Sequence, residues 1–475
     1  MINTIQLNKT VFIFISLIFF ISGIAFSQSD DEGGDFDSMF EESVVEGEND
    51  ETDSQSSEGT DNTEKQESTD TSTDTMKDPL DSLLTTEGIE WGGKISNRYA
   101  GNWSWMDGYP DSWNSFIEPD SRTFIPDLSG TLFFNARPNS DFRAYGKFKT
   151  SYPFKQGSIE DGKPIEVFEL FSDFNWNETL FFRAGKQTIN WGKGYYFSPA
   201  DVVNLERVDP TDPDKELEGP VSAKLHYPVG VHNVYFYAVG NEAVQEPRDI
   251  AVAPKAEVLF GTIETTIGAF FQREKAPKGI LMFSYPYSDF DFFGEGVISY
   301  GTDKTFVQED TSLSAQPYGI TTYSEEEKLF YQGTLGFRYS HSDYDIYIGG
   351  QYYYNGLGYD NSELLSNAMM LYGTDTGIEP ALSSGDLAQW GKHYATADIS
   401  YTGLFDGDIT LSTQWLGNLS DSSGIVIPSV SYRFIDYASA KIGTQILYGE
   451  KEMEFTPAGK GLSATLSITL GSNSF

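Results

Sequence analysis

The chain contains no cysteine, so disulfide cross-links and thiolate metal sites are excluded. An exported chain without cysteine can also stay unfolded in an oxidising compartment without mispairing. Histidine is scarce: the four residues His226, His232, His341 and His393 fall at no metal-binding spacing such as H-x3-H. Positive charge is short as well, with 31 Lys and Arg against 71 Asp and Glu, a formal net charge of −40. Such an acidic chain argues against nucleic acid as a partner. No P-loop, dinucleotide-binding glycine pattern or zinc signature occurs, so no cofactor, metal or catalytic residue is expected. After Ser27 no apolar run reaches the ~20 residues a membrane helix needs. Any membrane insertion must then use strands, because only helices and closed barrels satisfy their backbone groups in lipid.

What is present points to export and to strands. Lys9 precedes the apolar run Val11 to Ile24, and Ala25-Phe26-Ser27 offers small residues at a cleavage site, so residues 1–27 read as a signal peptide. At the other end Leu462, Ala464, Leu466, Ile468 and Leu470 alternate with Ser463, Thr465, Ser467 and Thr469, and Phe475 follows. This period of two marks a strand with one apolar and one polar face. A terminal amphipathic strand with a final aromatic resembles the last strand of outer-membrane β-barrels. That resemblance implies recognition by the barrel-assembly machinery.

Residues 28–85 are rich in Asp, Glu, Ser, Thr and Gly and read as a disordered acidic tail on the periplasmic side. Within it Phe36, Met39, Phe40, Val44 and Val45 fit one face of a short helix. Three fates are open to the tail: docking a periplasmic partner, plugging a barrel, or remaining unbound.

Residues 86–475 read as an all-β, antiparallel transmembrane barrel. Eighteen amphipathic segments, with 16 as the lower count, can be marked: 88–103, 127–138, 141–151, 164–175, 178–189, 219–228, 231–240, 252–260, 262–273, 279–287, 290–301, 328–340, 343–355, 392–403, 407–416, 424–434, 436–448 and 461–473. Most approach the ~9–11 residues of a tilted membrane strand. Short turns near 139–140, 229–230, 288–289 and 435–436 alternate with long segments such as 104–126, 190–218, 302–327 and 357–391. Aromatics are plentiful, with 28 Tyr, 35 Phe and 8 Trp, as interface girdles require.

Strand parity predicts which side chains face the lumen. In 141–151, Phe142, Ala144, Gly146 and Phe148 face outward, leaving Arg143, Tyr145, Lys147 and Lys149 inside. The same reading places Lys94, Arg98, Arg183, Lys224, Arg137, Arg338, Arg433 and Lys441 inside, with the acids Glu257, Glu264, Asp291, Glu295, Asp345 and Asp398. Fixed charges in a confined water path select ions by sign. The pore-lining candidates are Lys94, Arg98, Arg143, Lys147, Lys149, Arg183 and Lys224. They either favour anionic solutes or pair with the inward acids.

One segment stands apart: RAGKQTINWGKGYYFSPADVVN, residues 183–204. It resembles the G-[KR]-Q-x3-W-G strand end of porin-like families of Gram-negative outer membranes, similar to alginate-export and anion-selective porins. The matching residues are Lys186, Gln187, Trp191 and Gly192, with Asp201 and Asn204 downstream. Lys186 stands where Arg is commoner, which keeps the charge and loses the bidentate fork. The resemblance implies that 190–218 folds inward as a constriction; a loop packed on the rim is the other reading. Asp209, Asp212 and Asp214 could offer oxygens to calcium but lack EF-hand spacing. His393 near Asp398 could mark a hydrolase site, or His393 is a lone rim histidine.

The expected function is a porin-like channel in the outer membrane, passing small hydrophilic and anionic solutes, with membrane lipid as its surroundings. The alternative is a surface adhesin or structural barrel with a closed lumen and binding loops.

Overall fold

A computed structural model describes residues 89–106, 122–139, 141–153, 165–177, 179–241, 243–310, 319–341, 344–372, 378–405, 407–457 and 459–474. The expected signal, the acidic tail with its Phe36 island, and Phe475 lie outside the described residues.

Eighteen antiparallel strands form one sheet. In chain order they begin β1 (Ile89–Met106), β2 (Arg122–Asn139), β3 (Phe142–Pro153), β4 (Glu166–Trp176), β5 (Leu180–Lys186), β6 (Val221–Val229), β7 (His232–Gly240), β8 (Ala251–Phe260) and β9 (Ile263–Phe270). They continue with β10 (Lys278–Tyr287), β11 (Phe290–Tyr300), β14 (Leu329–His341), β15 (Ile346–Asn355), β16 (His393–Leu404), β17 (Ile409–Asn418), β18 (Ser423–Ile435), β19 (Ala438–Tyr448) and β20 (Gly461–Ser474). The last strand pairs with the first, Tyr99 opposite Ile468 and Met106 opposite Gly461, so the sheet closes into a barrel without an edge.

The outer wall is apolar. Trp91, Ile267, Leu281 and Leu335 are 57%, 58%, 55% and 58% exposed, a belt that only a hydrocarbon surrounding would cover. Inward neighbours on the same strands, such as Thr266 and Thr334, are buried. A closed barrel with this outside is a transmembrane β-barrel.

Each of the eighteen segments marked in the sequence corresponds to one strand. The largest boundary difference is at β2, which starts at Arg122, five residues before the expected 127, because 122–126 continue the ladder with β1 as far as Trp103. Two differences of three residues also have local causes. β5 ends at Lys186, three residues before the expected end, because Gln187 turns off the wall and its N–H bonds Pro220 O at 3.2 Å. β15 starts at Ile346, three residues late, because Asp345 takes a left-handed turn conformation, φ 48°. Asp345 is thus a turn residue between β14 and β15, not a lumen-facing strand acid.

The connections on one rim are tight turns; those on the other are longer, except the four-residue turn 419–422 between β17 and β18. The expected long segments are not structureless. β12 (Thr305–Glu309) and β13 (Ile320–Ser324) form a hairpin between β11 and β14. Helices α1 (Leu365–Tyr372) and α2 (Ser384–Leu387) lie between β15 and β16. Val307 and Ile320 of the hairpin share an apolar core with Leu365, Ala368, Leu371 and Trp390, so the two connections form a folded cap on the long-loop rim.

Candidate functional site: a loop folded into the barrel

The chain between β5 and β6 leaves the wall and crosses the barrel interior. Its Ile189, Trp191, Ala200 and Val203 pack on an inner apolar patch made by Tyr235, Tyr237, Val239, Ala251, Ala253, Phe270, Ile280, Met282 and Val297. That patch breaks the polar-inside rule of barrel strands and exists because the loop covers it. Farther along, Tyr196 and Phe197 reach the opposite wall, where Phe197 stacks on Tyr353 at 4.8 Å and meets Tyr394 at 5.3 Å. Arg338 lies over the Tyr195 ring at 4.7 Å.

Glu295, on β11, holds the tip. Its carboxylate accepts the N–H of Lys193, of Gly194 at 2.5 Å and of Ala200 at 3.0 Å, and the Ser198 hydroxyl at 3.1 Å. Gln351, on β15, adds two bonds: it accepts Tyr196 N–H at 2.9 Å and donates to Phe197 O at 2.5 Å. Two glycines make this approach feasible. A Cβ on Gly192 would lie 1.6 Å from Ser198 Oγ, and one on Gly194 would lie 2.0 Å from Phe197 O.

The motif residues tie the loop to its own base. Lys186 donates to Val167 O at 2.8 Å and pairs with Glu218 from the returning arm. Gln187 is buried and donates to Ser222 O at 3.5 Å. Asn204 bonds both backbone groups of Ile189 and donates to both Asp201 oxygens at 3.0 Å. Burial pushes the Asp201 carboxyl up to about 6, against the pull of Asn204.

The pore-lining candidates meet different fates. Arg143 and Arg183 are buried and share one carboxylate, Asp173, at 3.5 and 2.7 Å. Lys147 and Lys149 share Glu216, again from the loop. Lys224 faces Tyr235 and Tyr237, 5.1 and 6.0 Å from the ring centres. Lys94 and Arg98 are half-buried on β1, Arg98 opposite Asp127 in register. Deeper pairs follow the same pattern, Lys193 with Glu264 at 2.9 Å and Lys255 with Glu257. Arg433 sits at the tight-turn rim beside Asp408.

The loop carboxylates Glu216 and Glu218 and the anchor Gln351 did not figure among the expected site residues. Their partners lie far away in sequence, and strand parity says nothing about loops. His393 and Asp398 point to opposite faces of β16: His393 Nδ1 is 2.7 Å from the hydroxyl of outward Tyr352, and Asp398 bonds Tyr196 inside. They form no joint site. Among the described residues no group of His, Asp and Glu could hold a metal ion.

No protein-family model and no curated protein matches the chain. Solved structures that are similar in fold include Pseudomonas aeruginosa OccK9 (OpdG), 7% identical over 83% of this chain and 99% of that one, TM-score 0.48. Acinetobacter baumannii OccAB4 is 8% identical over 82% and 99%, TM-score 0.45. Salmonella typhi OmpF, in complex with daunomycin, is 11% identical over 82% and 97%, TM-score 0.39. At these values the functional reading rests on the chain's own geometry.

Proposed function

We propose that the protein is a porin-like channel of the outer membrane, through which small hydrophilic solutes diffuse past the inward-folded loop 190–218. The carrying observation is wet charge inside the barrel. Glu216, between Lys147 and Lys149, keeps 47% of its side chain exposed, and the two lysines keep 19% and 28%. A barrel of eighteen strands is wide enough for an aqueous path.

The finer part of the proposal is a preference for anions. Its support is that Asp173 and Glu216 are each shared by two cations, Arg143 with Arg183 and Lys147 with Lys149, while Glu166 and Glu169 of β4 stand opposite Lys149 and Lys147. Lys94, Arg98 and Lys224 add to that side. The loop constricts the path in this reading, and Lys186, Gln187, Trp191, Gly192, Asp201 and Asn204 hold it in place. Liposome swelling tests the channel: small uncharged sugars should enter liposomes containing the refolded protein, and no swelling above empty liposomes would contradict it. The folded cap of hairpin and helices supports a second reading, surface attachment. In that case trimming 305–324 abolishes attachment and leaves solute entry unchanged.

A further inference from the structure

Outward positions of a membrane barrel strand normally carry apolar side chains that meet the hydrocarbon around them. On β11 and β14 three of these positions are glycine: Gly294, Gly296 and Gly333. The register sets them side by side. Leu281, Gly296, Gly333 and Tyr354 stand opposite one another across β10, β11, β14 and β15. Leu281 and Tyr354 are thus three ladder spacings apart, roughly 14 Å, with only backbone between them.

The space above these glycines is not filled from the sides. A Cβ on Gly296 would meet nothing nearer than Leu281 O at 3.9 Å, and one on Gly333 would meet Glu295 O at 3.1 Å and no side chain. Gly294 is different: the Phe283 ring and Leu335 lean over it and close the space toward the tight-turn rim. Ile298 and Tyr331, opposite each other in register, stand next toward the long-loop rim. What remains is a pit of about 400 Å³ in the outer wall, with Tyr352 and Tyr354 as its far side. Glu295 and Thr334 lie in its floor, but their side chains point to the lumen, Glu295 to the loop tip and Thr334 to Gln351.

The surroundings of the pit decide what fills it. It is continuous with the apolar belt that faces hydrocarbon, and its lining offers no charge to recognise a polar ligand. Left empty, its walls forfeit dispersion contacts. A second barrel would have to bury roughly 1,000 Å² or more to form a stable contact. Leu281, Tyr331 and Leu335 also project around the pit, each more than half exposed, and hold another wall away from its floor. A flexible chain of methylenes enters such a space without needing a matching partner surface.

We propose that the pit binds one acyl chain of a lipid from the surrounding bilayer and holds it longer than the chains around the rest of the belt. The glycines then form a lipid site set in the wall directly behind Glu295, the anchor of the loop tip. The inference rests on the transmembrane barrel and not on conduction.

The test uses the full chain refolded into phosphatidylcholine vesicles that contain a trace of phosphatidylcholine with a photoactivatable diazirine midway along one acyl chain. After irradiation the labelled side chains are located by mass spectrometry. Leu335 on the pit wall and Ile442 on β19 are equally exposed, at 58%, and serve as site and reference. Several-fold more label is expected on Leu281 and Leu335 than on Ile442. Gly296→Val puts a strand-favouring side chain into open space, so the barrel stands, and it should bring Leu335 down to the reference level. Even labelling of Leu335 and Ile442 in the parent, a result that needs no variant, would overturn the site. So would an excess on Leu335 that Gly296→Val leaves unchanged. A chain dimer in detergent that Gly296→Val separates would give the pit to a second copy and overturn the lipid site as well.

Discussion

The side-chain amide of Asn204 pairs with both backbone groups of Ile189, accepting its N–H at 3.0 Å and donating to its carbonyl at 2.7 Å. The bond pair closes the loop's first arm on itself fifteen residues along and sets Trp191 facing the inner wall. Asn204→Ala leaves a backbone N–H and a C=O without partners in a half-buried place, which costs about 1–3 kcal/mol per group. The expected outcome is faster proteolysis within 190–218 at unchanged strand content by circular dichroism.

Trp191 is 1% exposed and forms the centre of the apolar contact between loop and wall. Removing it should cost about 3–5 kcal/mol of loop anchoring. Trp191→Ala is expected to swell liposomes faster with sugars too large for the parent. An unchanged size cut-off would show that the loop does not limit the path.

Glu295 accepts three backbone N–H groups and one hydroxyl, so its loss strands several donors at once. Glu295→Ala should raise single-channel conductance and its noise; Glu295→Gln should do so less, because an oxygen acceptor remains. Equal noise in parent and Glu295→Ala would contradict the anchoring role.

Burial pushes the Glu454 carboxyl up to about 7, with Asp421 adding repulsion, while Tyr394, Asn418 and Trp390 N–H donate to it. The sign follows from linkage: a carboxyl raised above its ordinary 4.5 favours the folded protonated form, and that contribution fades as pH rises from 4.5 through 7. Thermal stability of the barrel should therefore decline across this window, and Glu454→Gln should flatten the decline. Parallel curves for the two proteins would sink the assignment.

The wall was readable in the sequence because membrane strands carry their rule locally. Phe142, Ala144, Gly146 and Phe148 announce a lipid face within one short segment, and a closed sheet of such segments leaves little freedom in topology. The loop was readable only at its conspicuous residues, Trp191, Gly192, Asp201 and Asn204. What it touches was not, because Glu295 and Gln351 lie roughly a hundred and more residues away and their inward parity fits a water-facing residue equally well. A sharper signal existed: Val239, Ala251, Ala253, Ile280 and Met282 put apolar side chains on the lumen face, which an uncovered water channel would not favour. The cap escaped for a similar reason, since the short period of β12 and β13 gains its meaning only from α1 and Trp390 packed against it.

The most direct test of the account is the single-channel conductance of the refolded protein in a planar bilayer, with the reversal potential under a KCl gradient. The account predicts steady conductance with chloride preferred, and a shift toward potassium when Lys147 and Lys149 are both changed to Glu. A folded barrel that carries no current would contradict the channel, and a potassium preference in the parent would contradict the basic wall.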